Sequence, residues 1–128
     1  MALTITTEVK QAALNGITAL FNNGHFQLTN TAGGAGAELA DLLFGATAFA
    51  AASNASPSVA VSNAITADTS VTAGTILGFN LRTSTPTTRI SGNVGTSGAD
   101  LNVTDNVIPS GATSVSCPGG LTLSLQIT

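Results

Sequence analysis

The stretch Arg89–Ser116, RISGNVGTSGADLNVTDNVIPSGATSVS, decides the fold class of this 128-residue chain. Short alternating runs are cut every few residues by Gly, Asn, Asp or Pro. Thr88–Val94 reads as a strand and Gly95–Gly98 as a tight turn, and Leu101 and Val103 then alternate with Asn102 and Thr104. Pro109-Ser110-Gly111 turns the chain again. No group of residues in this stretch is suited to chemistry, so its work is packing.

The same punctuation continues on both sides. Downstream, Val115 and Cys117 precede the Pro118-Gly119-Gly120 turn. Leu121, Leu123, Leu125 and Ile127 then alternate with Thr122, Ser124, Gln126 and Thr128, a strand with one wholly apolar face. Upstream, Leu77, Phe79 and Leu81 alternate with Ile76, Gly78, Asn80 and Arg82, and Val59 and Val61 with Ser58, Ala60 and Ser62. His25, Gln27 and Thr29 alternate with Phe26 and Leu28, the pattern of a half-buried strand. Ala37–Gly45, AELADLLFG, has residues that suit a short helix, but its length, the flanking glycines and its strand neighbours favour a strand.

One segment breaks the two-residue period. Thr6 or Thr7 can cap a helix, with Glu8 in its favourable first turn. Val9, Ala13, Ile17, Leu20 and Phe21 recur at helical spacing on one face, and Asn22-Asn23-Gly24 ends the run. The expected architecture is a single domain, residues 1–128. It comprises an N-terminal segment 1–7, an amphipathic helix 7–22 and a mainly β region 25–128. That region is read as a jelly-roll-like β-sandwich of seven to eight short antiparallel strands.

Composition narrows the function. Only 7% of residues are charged, and the net charge is −3. Soluble chains usually carry about 25% charged residues, so this neutral Ser/Thr/Asn surface tolerates close contact with copies of itself or with a larger partner. The three cations, Lys10, Arg82 and Arg89, are scattered. They make no basic patch for nucleic acid and none for an anionic membrane. No basic region precedes an apolar run at the N-terminus, and no stretch reaches the ~20 apolar residues of a spanning helix. The sole Cys, Cys117, makes no intrachain disulfide and reads as a small buried hydrophobe.

Candidate chemistry is sparse. His25 is the only His and has no companions at metal-ligand spacing, so it is expected at a strand edge. No G-x-S-x-G occurs. Glu38 and Asp41 would share a face only if their segment were helical. Asp100, Asn102 and Asp105 are close in sequence, but the EF-hand spacing is absent. Gly92, Gly95 and Gly98 lack the Lys and helix of a phosphate loop and read as turn residues. Asp100 is expected to bind local backbone N–H groups. No enzymatic activity, cofactor or metal is expected.

The opening MALTITTEVKQAALNGITALFNNG resembles the start of a family of small tailed-bacteriophage virion proteins. Ser91–Leu101, SGNVGTSGADL, is similar to that family's most recognisable stretch, a strand, a Gly-rich turn and another strand, and the closing alternating strand also fits. The chain departs from the pattern at FQLTNTAGGAGAEL, Phe26 to Leu39, where an aromatic-rich strand and a longer loop are shortened. Near Gly78 the only aromatic is Phe79.

The resemblance implies a capsid decoration, or cement, protein on the outer capsid surface of the virion, made in the bacterial host cytoplasm. Its partners would be the major capsid protein and further copies of itself, as a dimer or trimer. Two segments are expected to carry contacts. Ala2, Leu3, Thr4, Ile5 and Thr6 alternate like a strand able to join a neighbour's sheet. Gly92, Asn93, Val94, Gly95, Thr96, Ser97, Gly98 and Asp100 form a protruding turn. The alternatives are a tail or head–tail connector subunit and, from another class, a receptor- or glycan-binding module. The absence of Trp and Tyr counts against the last.

Overall fold

A computed structural model describes residues 3–126. The chain is mainly β with one helix. In order come α1 (Thr7–Ala19), β1 (His25–Thr29), β2 (Glu38–Phe44), β3 (Ser58–Val61), β4 (Ile65–Thr66) and β5 (Gly74–Thr75). They are followed by β6 (Gly78–Arg82), β7 (Thr88–Gly95), β8 (Leu101–Asn102), β9 (Val107–Ile108) and β10 (Thr122–Leu125). The largest sheet has the order β4-β2-β1-β6-β7-β8, and β10-β3 and β5-β9 form two small antiparallel ribbons.

This corrects the expected strand count and pairing. Among the described residues ten strands replace seven to eight, because several are two-residue pairings. One pair, β7–β8, is parallel, with Val94 opposite Leu101. Gly98 takes φ 68°, and Asp100 and Asn102 accept the N–H groups of Asn93 and Ala99 at 2.9 and 3.0 Å. These bonds make the chain double back instead of closing a hairpin.

The core lies on one face of the large sheet. Phe26 and Leu28 of β1, Leu42 and Phe44 of β2, and Phe79 and Leu81 of β6 are buried there. Leu121, Ala60 and Ile108 from the ribbon strands and their flanks join the same cluster. All five Phe rings connect: Phe79–Phe26 at 6.4 Å edge-on, Phe26–Phe44 at 6.5 Å, and Phe44 to Phe21 and Phe49 at 6.3 and 5.5 Å. These spacings lie in the range favoured by aromatic pairs. In β6 the inward residues are Phe79 and Leu81, as the alternation predicts. Leu77, expected with them, precedes the strand and is exposed, while Ile76 is buried.

Thr6 caps α1, its hydroxyl accepting from Val9 N–H at 3.4 Å. The helix ends at Ala19, not Asn22, since Leu20, Phe21 and Asn22 switch to bonds three residues back. Such bonds tighten a last turn. Gly24 follows with no room for a side chain, as a Cβ there would strike the Arg82 and Phe21 carbonyls. That close approach lets β1 start directly under the helix end.

Phe26→Ala should lower unfolding free energy by about 3–5 kcal/mol, measured by urea titration. A loss below about 1 kcal/mol would contradict a core organised on these rings.

Candidate functional site

The helix presents the first candidate surface, and the expected face is corrected here. The buried side chains are Lys10, Leu14 and Thr18, with Phe21 in the turn beyond. Val9 and Leu20, expected inside, are 53% and 49% exposed. The apolar residues of this helix span a broad arc, so its periodicity alone does not say which part of that arc is buried. Polar bonds select the inner side. Lys10 Nζ donates to Ser56 Oγ at 2.7 Å, and Gln11 Nε2 donates to the Ala52 carbonyl at 2.8 Å. Asn15 Oδ1 accepts from Ala52 N–H at 2.8 Å. The small buried residues of β3, Ser58 and Ala60, let the helix come close.

Exposed along the helix are Thr7, Glu8 and Asn15 together with the apolar or small residues Val9, Ala12, Gly16, Ala19 and Leu20, with Ala13 at the border. Ala12, Gly16 and Leu20 are four residues apart and form one row. A Cβ at Gly16 would meet nothing within 4 Å. Leu3, in the segment entering this helix, is 87% exposed. This outward apolar side could have been found by counting apolar residues around the whole helix.

The expected contact segments fare differently residue by residue. Ala2 lies outside the described residues. Leu3 and Thr4 are exposed, Ile5 is half-buried, and Thr6 is occupied as the helix cap. In the second segment Gly92 and Val94 are buried in β7. A Cβ at Gly92 would come within 2.8 Å of the Phe79 ring and 2.9 Å of Asp100 Oδ2, so close packing explains this glycine. Asn93 Oδ1 accepts from Gly33 N–H at 2.8 Å, and Asp100 binds Asn93 N–H as expected. Gly95 is half-buried; Thr96, Ser97 and Gly98 form the exposed tip.

The outer face of the large sheet is mainly polar, with Leu43 exposed opposite His25. His25 opens β1, an interior strand rather than an edge, and its Nδ1 lies 2.8 Å from Asp41 Oδ2. Gln27 Nε2 donates to Glu38 Oε1 at 3.0 Å, and Asn80 Nδ2 donates to Gln27 Oε1 at 2.7 Å. The register shift between Leu28 and Thr29 buries both Leu39 and Ala40. It turns Glu38 to the side of Asp41 without any helix. Asp41 Oδ1 and Arg82 Nε are enclosed without a partner among the described residues.

Among the described residues no cluster of three His, Cys, Asp or Glu side chains is placed to hold a metal. No hydroxyl hydrogen-bonds to His25 there. Asp105 Oδ1 accepts from Val107 N–H at 3.0 Å, so the Asp100–Asp105 oxygens serve local turns. No described helix is long and apolar enough to cross a membrane.

No family model, curated protein or solved structure matches this chain.

Cys117 is half-buried. Burial pushes its thiol above the ordinary range, against an opposing backbone hydrogen bond with Gly120. The thiolate fraction near neutral pH is therefore reduced, and the thiolate is the reactive form. Cys117 should react with Ellman's reagent at pH 8 more slowly in the folded chain than in urea. Equal or faster reaction when folded would overturn this assignment.

Proposed function

We propose that this chain is a non-enzymatic structural subunit of a bacteriophage virion, a decoration protein that binds the outer capsid surface and bridges major capsid subunits. The observation that carries the reading is the outward apolar side of α1, with half-exposed Val9 and Leu20 and the still more exposed Leu3 nearby in sequence. Apolar surface is worth about 25 cal/mol per Å² when covered, before association costs. A chain with so few charges gains little solubility from leaving such a strip in water. Contact between copies through α1, as a dimer or trimer, removes the strip.

The resemblance over the opening segment and Ser91–Leu101 adds the virion context. In this reading the two ribbons are the second layer of a jelly-roll-like sandwich. Their residues share one core with the large sheet. The neutral surface permits close seating on a capsid, and a modest contact repeated over a shell gains by multivalency.

A receptor- or glycan-binding module is the second reading. Its support is the outer sheet face, where His25, Gln27, Asp41, Asn80 and Arg82 gather hydrogen-bonding groups. It predicts a sugar ligand whose binding falls with Gln27→Ala.

Quantitative mass spectrometry of purified virions tests the first reading. A copy number in simple ratio to the major capsid protein is expected. A number matching a single ring would indicate a connector or tail subunit instead, and absence from virions would overturn the reading.

A further inference from the structure

Most strand edges of this molecule are blunted. β4, β5, β8 and β9 have two residues each. On β7, Asp100 takes the outward N–H of Asn93, and a register shift leaves Arg89 between the paired residues Thr88 and Ile90. Short strands, bulges and charges are the usual means of keeping an edge from pairing with another chain. β10 has none of them. Thr122–Leu125 is uncharged, free of Pro and Gly, and paired with β3 along its whole length without a register shift.

The alternation along this ribbon fixes which groups are free. Val59 and Val61 turn their carbonyls away from β10, to the N–H groups of Ser53 and Ala50 at 2.8 and 2.9 Å. Their partners across the ladder are Ser124 and Thr122. These two therefore turn their own N–H and C=O groups away from β3. Among the described residues no backbone group meets them.

The helix sets an apolar flank on the same side. α1 packs on β3, and Gln11 and Asn15 bond to Ala52, in the segment that borders β3 opposite β10. A helix turns about 100° per residue. Ala13 and Ile17 therefore lie across the Lys10–Leu14 line from Gln11 and Asn15, with Val9, Gly16 and Leu20 beyond them. That flank is on the β10 side. Half-buried Leu123 and Leu125 share the ribbon face of buried Ala60 and Ser58, against which the helix packs.

The chemistry of this side selects its occupant. Free N–H and C=O groups spaced along a strand require an extended backbone. Neither β10 nor the flank residues Val9, Ala13, Gly16, Ile17 and Leu20 carry a charge. Copies of net charge −3 can meet here without like charges facing each other. A second β10 run antiparallel offers the same free groups, and a twofold contact uses one surface twice.

We propose, resting on the assembly reading of α1, that two copies pair as a twofold dimer through β10 against β10, merging their two-stranded ribbons into one sheet. Thr122 then exchanges both backbone bonds with Ser124 of the partner subunit, and Leu123 meets its own copy on the axis. The two β3 strands lie three strand spacings apart, about 14 Å. Helices with their side chains are ~10–12 Å across, so the α1 flanks come together over the joined strands.

Sedimentation equilibrium and amide hydrogen exchange by NMR, both on the intact chain, test this. The native chain should approach a dimer mass. Thr122 and Ser124 amides should exchange fast at low concentration and slowly at high concentration. Leu123 and Leu125 amides, bonded to β3, should be slow at both. Ser124→Pro removes an outward N–H that β3 does not use, a change edge strands tolerate. It should weaken dimerisation by roughly tenfold or more, with slow Leu123 exchange verifying that the ribbon is intact. Ser124→Lys keeps the N–H, adds a charge at the edge and should weaken dimerisation too. If the native chain associates while Thr122 and Ser124 amides stay fast, or if the folded variants dimerise like it, β10 pairing is overturned and the α1 reading stands. A limiting mass of three subunits also overturns the twofold pairing. A native chain that stays monomeric overturns both.

Discussion

The contact on which the rest of the molecule depends is the connected set of five phenylalanines. Phe26 occupies its centre, edge-on to Phe79 and beside Phe44, which in turn reaches Phe21 and Phe49. Most other core residues are Ala, Val, Leu or Ile. Large rings therefore supply the few long-range anchors in a core of small parts. Through Phe79 the set holds β6, through Phe44 it holds β2, and through Phe21 it holds the end of α1.

The helix follows from that anchoring. Phe21 fixes one end, while Lys10, Gln11 and Asn15 fix the other by hydrogen bonds to the 52–56 segment. These polar bonds are directional, and they hold the Lys10–Leu14–Thr18 side inward. Ile17 packs against the edge of the core, while exposed Val9, Ala12 and Ala19 have no place in it. In the proposed assembly, the associating surface is thus a by-product of how the helix is held. The outer face of the sheet, by contrast, satisfies its polar groups largely among themselves.

Much of this was legible in the residues. The alternation in FQL and NLR marks β1 and β6, and ELADLLF is a strand despite its helix-tolerant composition. Thr6 caps the helix, and Asp100 serves its own turn. The misses have physical causes. A helix apolar on two sides has one period and two solutions, and only partners distant in sequence choose between them. The His25–Asp41 and Gln27–Glu38 pairs depend on the β1–β2 register. The second also depends on a bulge at Leu39, which no local pattern announces. The parallel β7–β8 contact arises from side-chain bonds of Asp100 and Asn102, whereas the Gly-rich sequence alone suggests a hairpin.

The most direct measurement is sedimentation velocity over a range of concentrations, on the native chain and on a Val9→Glu/Leu20→Glu double variant. Both residues are about half exposed, so the fold should survive the change, as circular dichroism can verify. The expected result is a native chain that self-associates with rising concentration and a folded variant that remains monomeric. A native chain that stays monomeric throughout, or a variant that associates equally well, would contradict the role assigned to α1.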